Sequence, residues 1–389
     1  MDVATSFAAR KAELQKKSDV WGLGAIPDRL TRIRAQMGKQ GLDGLVVNYS
    51  TNVVYATGFD GIADEENPHI ALVTADEALA ILDSRYFEVA SRQAETTQWQ
   101  VALARHKVRE TAVEAINERQ LACIGIEDTM GYGQFLEWQE ALEGSEVRAT
   151  SRIVEEVREI KDLDEVVRIA QAQAITDEAF AHMLGFIKAG MTEREIAFEL
   201  EFAMRRLGAE ALAFPSIVAA GSNGSLPHAF PSDYVVKKGN LVTLDFGAQF
   251  GGYKADMTRT ICVGKASELQ KKVYAVVQQA QAAVLEAIKD GAVCVQVDSI
   301  GRQIIDAAGY GQYFGHGTGH GVGLDIHERP NCSPLSEDIF HVGAVVTDEP
   351  GIYLPGELGV RTEDTLLVTR QGSYVFGSSP KELVELTGD

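Results

Sequence analysis

Leu241–Val263 reads LVTLDFGAQFGGYKADMTRTICV, and the organisation of the remaining chain builds on how these residues pair. Leu241 to Phe250 and Tyr253 to Val263 read as two strands joined by Gly251-Gly252, a two-residue loop of a kind favoured in β-hairpins. With that turn Phe250 faces Tyr253, and the pairing runs back to Gly247 opposite Asp256. Asp245, two residues from Gly247, then points to the same face as Asp256. The two carboxylates become diagonal neighbours with Cα atoms roughly 7–8 Å apart, and Gly247 leaves space beside Asp256. Carboxylates placed in strand cores must be paired, protonated or bound to metal, because an unpaired buried charge is very costly. Two held side by side repel unless a cation lies between them. The bland alternative is a solvent-exposed pair on an edge hairpin.

The preceding part alternates helix and strand. Pro27-Asp28 opens a helical run through Gly41, and Leu42–Tyr49, His69–Ala75, Ala78–Leu82, Trp99–Arg105 and the segment around Cys123–Asp128 read as buried strands,. No phosphate-cradling glycine loop follows any of them. From about Arg152 long helices take over. Leu163 to Lys188 has helical period, and Thr192-Glu193-Arg194-Glu195 and Ser267-Glu268-Leu269-Gln270 are capping boxes opening two further helices,. Val273, Val276, Val277, Ala280, Val284 and Ala287 trace one face of the second, which we read as plain core. The expected fold is therefore an α/β N-terminal domain, residues 1–153, followed by an α+β domain, residues 154–389. The leader before Pro27 receives no role.

Further chemistry clusters downstream. Five of the eight histidines (His228, His316, His320, His327 and His341) fall between 228 and 341. GHGTGHGVGLDIHE, residues 315–328, interleaves glycines, which let backbone crowd a site, with three imidazoles. Histidines between glycines suit a metal better than a pyrophosphate. Glu349 and Glu363 sit at the ends of the apolar runs AVV and LLV. Glu363 alone could simply pair with Arg361. With Asp245, Asp256 and His320 the two glutamates make four carboxylates and one imidazole, a charge that balances two divalent cations in an oxygen-rich site. Asp245-Phe246-Gly247 also matches a kinase magnesium motif, but no HRD loop precedes it.

Composition limits the partners. The chain has 389 residues, with 56 acidic against 36 basic side chains and a net charge of −20. That surplus argues against nucleic acid or an anionic membrane face as the main partner. No stretch approaches the ~20 apolar residues of a membrane span, and the first thirty residues lack a signal-peptide core. The four cysteines form no CxxC pair, so neither a disulfide framework nor a thiolate zinc site is indicated, and a cytoplasmic setting is expected.

These residues resemble the metallopeptidase family with the pita-bread fold that contains aminopeptidase P, prolidase and methionine aminopeptidase. The likeness is strongest in LPHAFPSD, the hairpin quoted above, GHGTGHGVGLDIHE and TDEPGIYLPGELGVRTED. YATGF and ILDSRYFEVA resemble a creatinase-type N-terminal domain, and ILDSRY with the ending PKELVELTGD is most similar to short bacterial Xaa-Pro aminopeptidases. The resemblance implies two divalent ions, with Mn²⁺ favoured over Co²⁺ or Zn²⁺. Asp245 would chelate one, Asp256 and Glu363 would bridge both, and His320 and Glu349 would complete the other shell. It implies a dinuclear-metal exopeptidase that cuts an N-terminal Xaa-Pro bond by attack of a metal-bridging hydroxide. Glu349 would shuttle the proton to the leaving nitrogen. His228 and His327 would hydrogen-bond the oxyanion and substrate backbone, and Arg361 would bind a substrate carboxylate or, preferably, brace Glu363. His316 stands behind the ligands. Peptides with proline second are the implied substrates and a homodimer the implied assembly. The alternatives are an Xaa-Pro dipeptidase (prolidase), a metal-independent creatinase-like hydrolase, a non-catalytic binding module and, remotely, a lyase on the same scaffold. The second and third predict a broken ligand set, and none of the five positions is substituted.

Overall fold

Residues 3–24, 26–63 and 69–387 are described by the computed structural model. Two compact units divide the chain: the residues between Gly24 and Glu159 form one, and those up to Gly24 and from Glu159 onward form the other.

The first unit is built on a six-stranded mixed sheet, in the order Gln100–Leu103, Ala78–Leu82, Ile70–Thr74, Gly44–Val47, Cys123–Glu127, Glu146–Thr150. The four inner strands are buried along their whole length, which is why they read as unbroken apolar runs. The edge strand Glu146–Thr150 is mostly exposed, carries charge in place of an apolar run, and escaped the sequence reading. The helix Arg29–Gln40 is capped by Asp28, which accepts from Thr31 N, and stops at Gly41 in the left-handed region, as Pro27-Asp28 and Gly41 imply.

The boundary between units falls after Arg158 and not after residue 153. The helix Ile153–Glu159 is tied into the first unit: Arg32 Nη1 and Tyr55 Oη donate to Val157 O, and Arg158 Nη1 donates to Asn52 Oδ1. The leader forms a helix, Val3–Trp21, and packs in the second unit, where Leu14 and Trp21 are buried.

In the second unit, helices Leu163–Phe186, Glu193–Arg206 and Glu268–Ala287 each begin with a capping box, at Asp162–Glu165, Thr192–Glu195 and Ser267–Gln270. The first two cover a sheet ordered Glu385–Leu386, Met257–Val263, Asn240–Phe246, Ile217–Ala220. Val273, Val277 and Ala280 of the third pack on Ile352, Leu354, Leu358 and Val360 of the ribbon formed by Gly351–Leu354 and Leu358–Arg361. A further helix, Cys294–Ala307, has no side-chain cap at Val293 and so gave no start signal. The remaining large sheet runs Glu328–Cys332, Gly319–Gly321, Val345–Asp348, Asp364–Thr369, Gly372–Val375.

The hairpin register is the expected one. Phe250 pairs with Tyr253 and Asp245 with Thr258, while Gly251 and Gly252 have φ of 56° and 79°, the positive values a tight hairpin turn demands. Between Ala248–Phe250/Tyr253–Lys254 and the main ladder the pairing is interrupted, and Gly247 and Asp256 lie in that gap. A side chain at Gly247 would meet the carbonyl oxygen of Ala255 at 1.8 Å, so the close approach of the two strands there requires glycine.

Candidate metal centre

Four of the five expected ligands stand where ladders end or irregularities occur. Asp256 lies in the hairpin gap, His320 precedes a register shift, Glu349 joins Val345–Asp348 to Gly351–Leu354, and Glu363 joins Leu358–Arg361 to Asp364–Thr369. Backbone bonds pin each one. Glu349 N donates to Thr318 O at 2.7 Å, and Glu363 N donates to Thr258 O at 3.0 Å. Thr365 Oγ1 donates to Asp256 O at 2.8 Å and accepts from Asp256 N at 3.2 Å. Gly319 allows the strand bearing His320 to approach Thr347, whose carbonyl oxygen lies 2.1 Å from where a Cβ would stand.

The side chains converge. Asp256, His320 and Glu363 each offer a ligand atom within 4.8 Å of the others. His320 Nε2 lies 3.6 Å from Asp256 Oδ2 and 3.5 Å from Glu349 Oε1. Asp245 and Asp256 are 8% and 4% exposed, which removes the solvent-exposed alternative for that pair. Burial raises the Asp256 carboxyl well above its ordinary range, and repulsion from Asp245 and Glu349 adds to it. Glu363 is raised by burial and then by Asp256 and Glu349. Burial lifts Glu349 to about 8, with Arg361 opposing. Three carboxyls raised by burial in one place, each pushed further by a neighbouring carboxylate, mark excess negative charge that a cation would relieve,.

The donor set fits such a cation. Asp245 Oδ1 and Asp256 Oδ1 are buried and have no hydrogen-bond partner among the described residues, an arrangement costly unless something binds them. His320 Nδ1 faces Gly321 O at 3.0 Å, and burial with His327 nearby lowers its pKa to about 4. The ring is therefore neutral, and with Nδ1–H donating to the carbonyl it presents the Nε2 lone pair to the carboxylates, the tautomer a metal ligand needs.

Around these groups runs a polar chain that sequence reasoning met only in part. Arg361 Nη2 donates to Asp245 Oδ2 at 2.5 Å, Nη1 to Tyr353 Oη at 2.7 Å, and Nε to Thr258 Oγ1 at 3.1 Å. Thr258 Oγ1 in turn donates to Glu363 Oε2 at 2.6 Å. Arg361 thus braces Asp245 directly, and it acts on Glu363 through the shared Thr258 hydroxyl and through its charge, which opposes the rise of that carboxyl. It is buried, at 4% exposed, and points into this network. Tyr353 Oη also meets His316 Nε2 at 2.8 Å, and burial then the Arg361 charge lower His316 to about 4. Tyr353 and Thr258 were missed because a hydroxyl in an apolar strand carries no distinctive pattern. Arg259 was also missed. Its guanidinium, in a residue 1% exposed, donates to Glu363 O and to Asp364 Oδ1. A cation inside MTRTICV was the available signal.

His327 and His228 are exposed. The His327 ring stands 4.4 Å from that of His320, and partial desolvation of the imidazole followed by the neighbouring His228 lowers its pKa. His341 is an exposed residue beside Asp290 and is not among these groups.

Residues 167–370 match the model of metallopeptidase family M24, and residues 29–160 match the creatinase/prolidase N-terminal domain. The chain is 40% identical to the uncharacterized peptidase YqhT of Bacillus subtilis, over 92% of this chain and all of that protein. Among solved structures, an Xaa-Pro dipeptidase from Bacillus anthracis aligns with TM-score 0.87 and 38% identity, covering 92% of this chain and 99% of that one. An X-Pro aminopeptidase from Thermotoga maritima aligns with TM-score 0.83 and 33% identity, covering 92% and 100%.

Proposed function

The chain belongs to metallopeptidase family M24, and from that premise we propose that it is an exopeptidase hydrolysing the Xaa-Pro bond at the N-terminus of peptides. Its fold is a creatinase-type α/β domain followed by the pita-bread catalytic domain. The observation that carries the reading is the meeting of Asp256, His320 and Glu363 within 4.8 Å, beside carboxylate oxygens left without partners.

In this proposal Asp245, Asp256, His320, Glu349 and Glu363 hold two divalent ions, and the carboxylate-rich set favours Mn²⁺. When bound, such ions supply a water acidic enough to serve as nucleophile at neutral pH. The remaining work belongs to the chain. Arg361 fixes the orientation of Asp245, and Thr258 that of Glu363. Glu349, whose side chain is 19% exposed against 6% for Asp256, would pass a proton to the departing proline nitrogen. His327 and His228, at the exposed side, hydrogen-bond the developing oxyanion and the substrate backbone. A tertiary Xaa-Pro amide has no N–H to satisfy, so a site shaped for the ring can select it.

An aminopeptidase acting on longer peptides is the main reading. The dipeptidase reading is favoured by the names of several relatives, the Xaa-Pro dipeptidases of Bacillus anthracis and of two Pyrococcus species among them. Hydrolysis of Xaa-Pro-Yaa against Xaa-Pro by the purified protein, with metal analysis of the same sample, separates them. Asp256→Ala that folds yet loses metal and turnover supports the site; unchanged turnover after that substitution and exhaustive chelation defeats it. Among the described residues no helix is long and apolar enough to cross a membrane. We further propose a cytoplasmic homodimer, testable by fractionation and sedimentation.

A further inference from the structure

The helix Val3–Trp21 lies ahead of both family matches, the earlier of which begins at residue 29. Its sequence, VATSFAARKAELQKKSDVW, is largely polar, but Phe7, Leu14 and Trp21 recur every seven residues and so share one side of a helix. That side is the covered one. Leu14 and Trp21 are 2% and 7% exposed and cluster, together with Phe7, with Val166, Ala170, Tyr253 and Val322. Polar contacts fix the register: Arg10 Nε donates to Gln171 Oε1 at 3.2 Å, Lys11 Nζ pairs with Asp164 at 2.6 Å, and Arg370 N donates to Trp21 O at 3.0 Å.

Phe7 reaches further. Its ring packs on Phe250, centroids 5.4 Å apart, and Phe250 is the last residue before the turn of the hairpin that bears Asp245 and Asp256. The long helix holds the same tip: Arg168 Nη1 donates to Gly251 O at 2.9 Å, and Tyr253 Oη donates to Glu165 Oε1 at 2.7 Å. Below the tip the ladder is interrupted at Gly247 and Asp256. Asp256 is held by Thr365 and by the paired strand that starts at Met257, and towards the turn by how firmly the tip is held.

We propose that the helix Val3–Trp21 is a built-in strap, with Phe7 as a positioning residue, which clamps the hairpin tip and thereby sets Asp256 for metal binding beside Asp245, which the paired strands hold on both sides. The proposal rests on the metal-ligand reading above. It acts through order, since a loosened hairpin must regain its geometry when the ions bind.

The test uses the full chain with four substitutions: Phe7→Ala, the conservative Phe7→Leu, Asp256→Ala, and Val284→Ala, a truncation in a separate hydrophobic cluster. Amide hydrogen exchange of residues 248–254 in metal-free protein and the Mn²⁺ Kd by calorimetry are measured for each. Phe7→Ala is expected to speed exchange at the tip and raise the Kd about tenfold, the lower end of what outer-shell changes cost. Phe7→Leu should restore most of both, and Val284→Ala should lower global stability without either change. Unchanged exchange and Kd in Phe7→Ala, or equal changes in Val284→Ala, overturn the strap while loss of Mn²⁺ binding in Asp256→Ala leaves the site standing. Undiminished Mn²⁺ binding by Asp256→Ala instead overturns the site reading and with it the positioning role, whatever the exchange at the tip.

Discussion

Arg361 donates to Oδ2 of Asp245 at 2.5 Å, while Oδ1 of the same carboxylate has no hydrogen-bond partner among the described residues. One oxygen is thus held by a permanent charge and the other is left for a cation. Both residues are buried, so the pair is screened by protein and not by water.

Removing the guanidinium would leave Asp245 as an uncompensated buried charge. Arg361→Met should cost about 3–5 kcal/mol of stability in metal-stripped protein, and bound divalent ions should recover part of it. Urea unfolding with and without Mn²⁺ measures both. A cost within about 0.5 kcal/mol, the range of ordinary surface changes, would show that the pair does not matter.

The first unit carries its own pH dependence. Glu127 is 5% exposed; burial raises its carboxyl from 4.5 to about 7, against the N–H groups of Tyr49 and Asn48 and the amide of Asn52. Between those values the folded state keeps a proton that the unfolded chain has released. Its contribution is therefore full below about pH 4.5 and is lost as pH rises through about 7. Glu127→Gln should flatten the fall in stability across that window in melts recorded from acid to neutral pH. A slope matching that of the unsubstituted protein would contradict the assignment.

Gly247→Ala places a Cβ 1.8 Å from Ala255 O, a backbone atom that can yield only by moving Asp256, its neighbour. We expect a loss of roughly 1–3 kcal/mol together with weaker Mn²⁺ binding. Unfolding and metal titration of one sample report both. Destabilisation with unaltered affinity would mean that Asp256 is held independently of the hairpin.

Much of this was legible because the signals are local. Gly251-Gly252 fixed the hairpin register, and with it the shared face of Asp245 and Asp256. The Thr192 and Ser267 capping boxes marked helix starts that hold to the residue. Glu349 and Glu363 stood out as charge at the ends of apolar runs, and His320 as an imidazole between glycines. What escaped lacked such marks. The edge strand Glu146–Thr150 buries little, Cys294–Ala307 starts without a capping side chain, and the leader helix shows only three apolar residues seven apart. The target of Arg361 was set by tertiary packing: Glu363 is two residues away, yet the guanidinium finds Asp245, 116 positions distant.

Whether five separated side chains form one divalent-metal centre is decided by calorimetric titration of Mn²⁺ into chelator-stripped protein. About two ions should bind per chain of the unsubstituted protein, with proton release as the raised carboxyls of Asp256, Glu349 and Glu363 ionise,, and a folded Asp256→Ala variant should show no comparable binding. Equal stoichiometry and affinity in the two proteins would contradict such a centre.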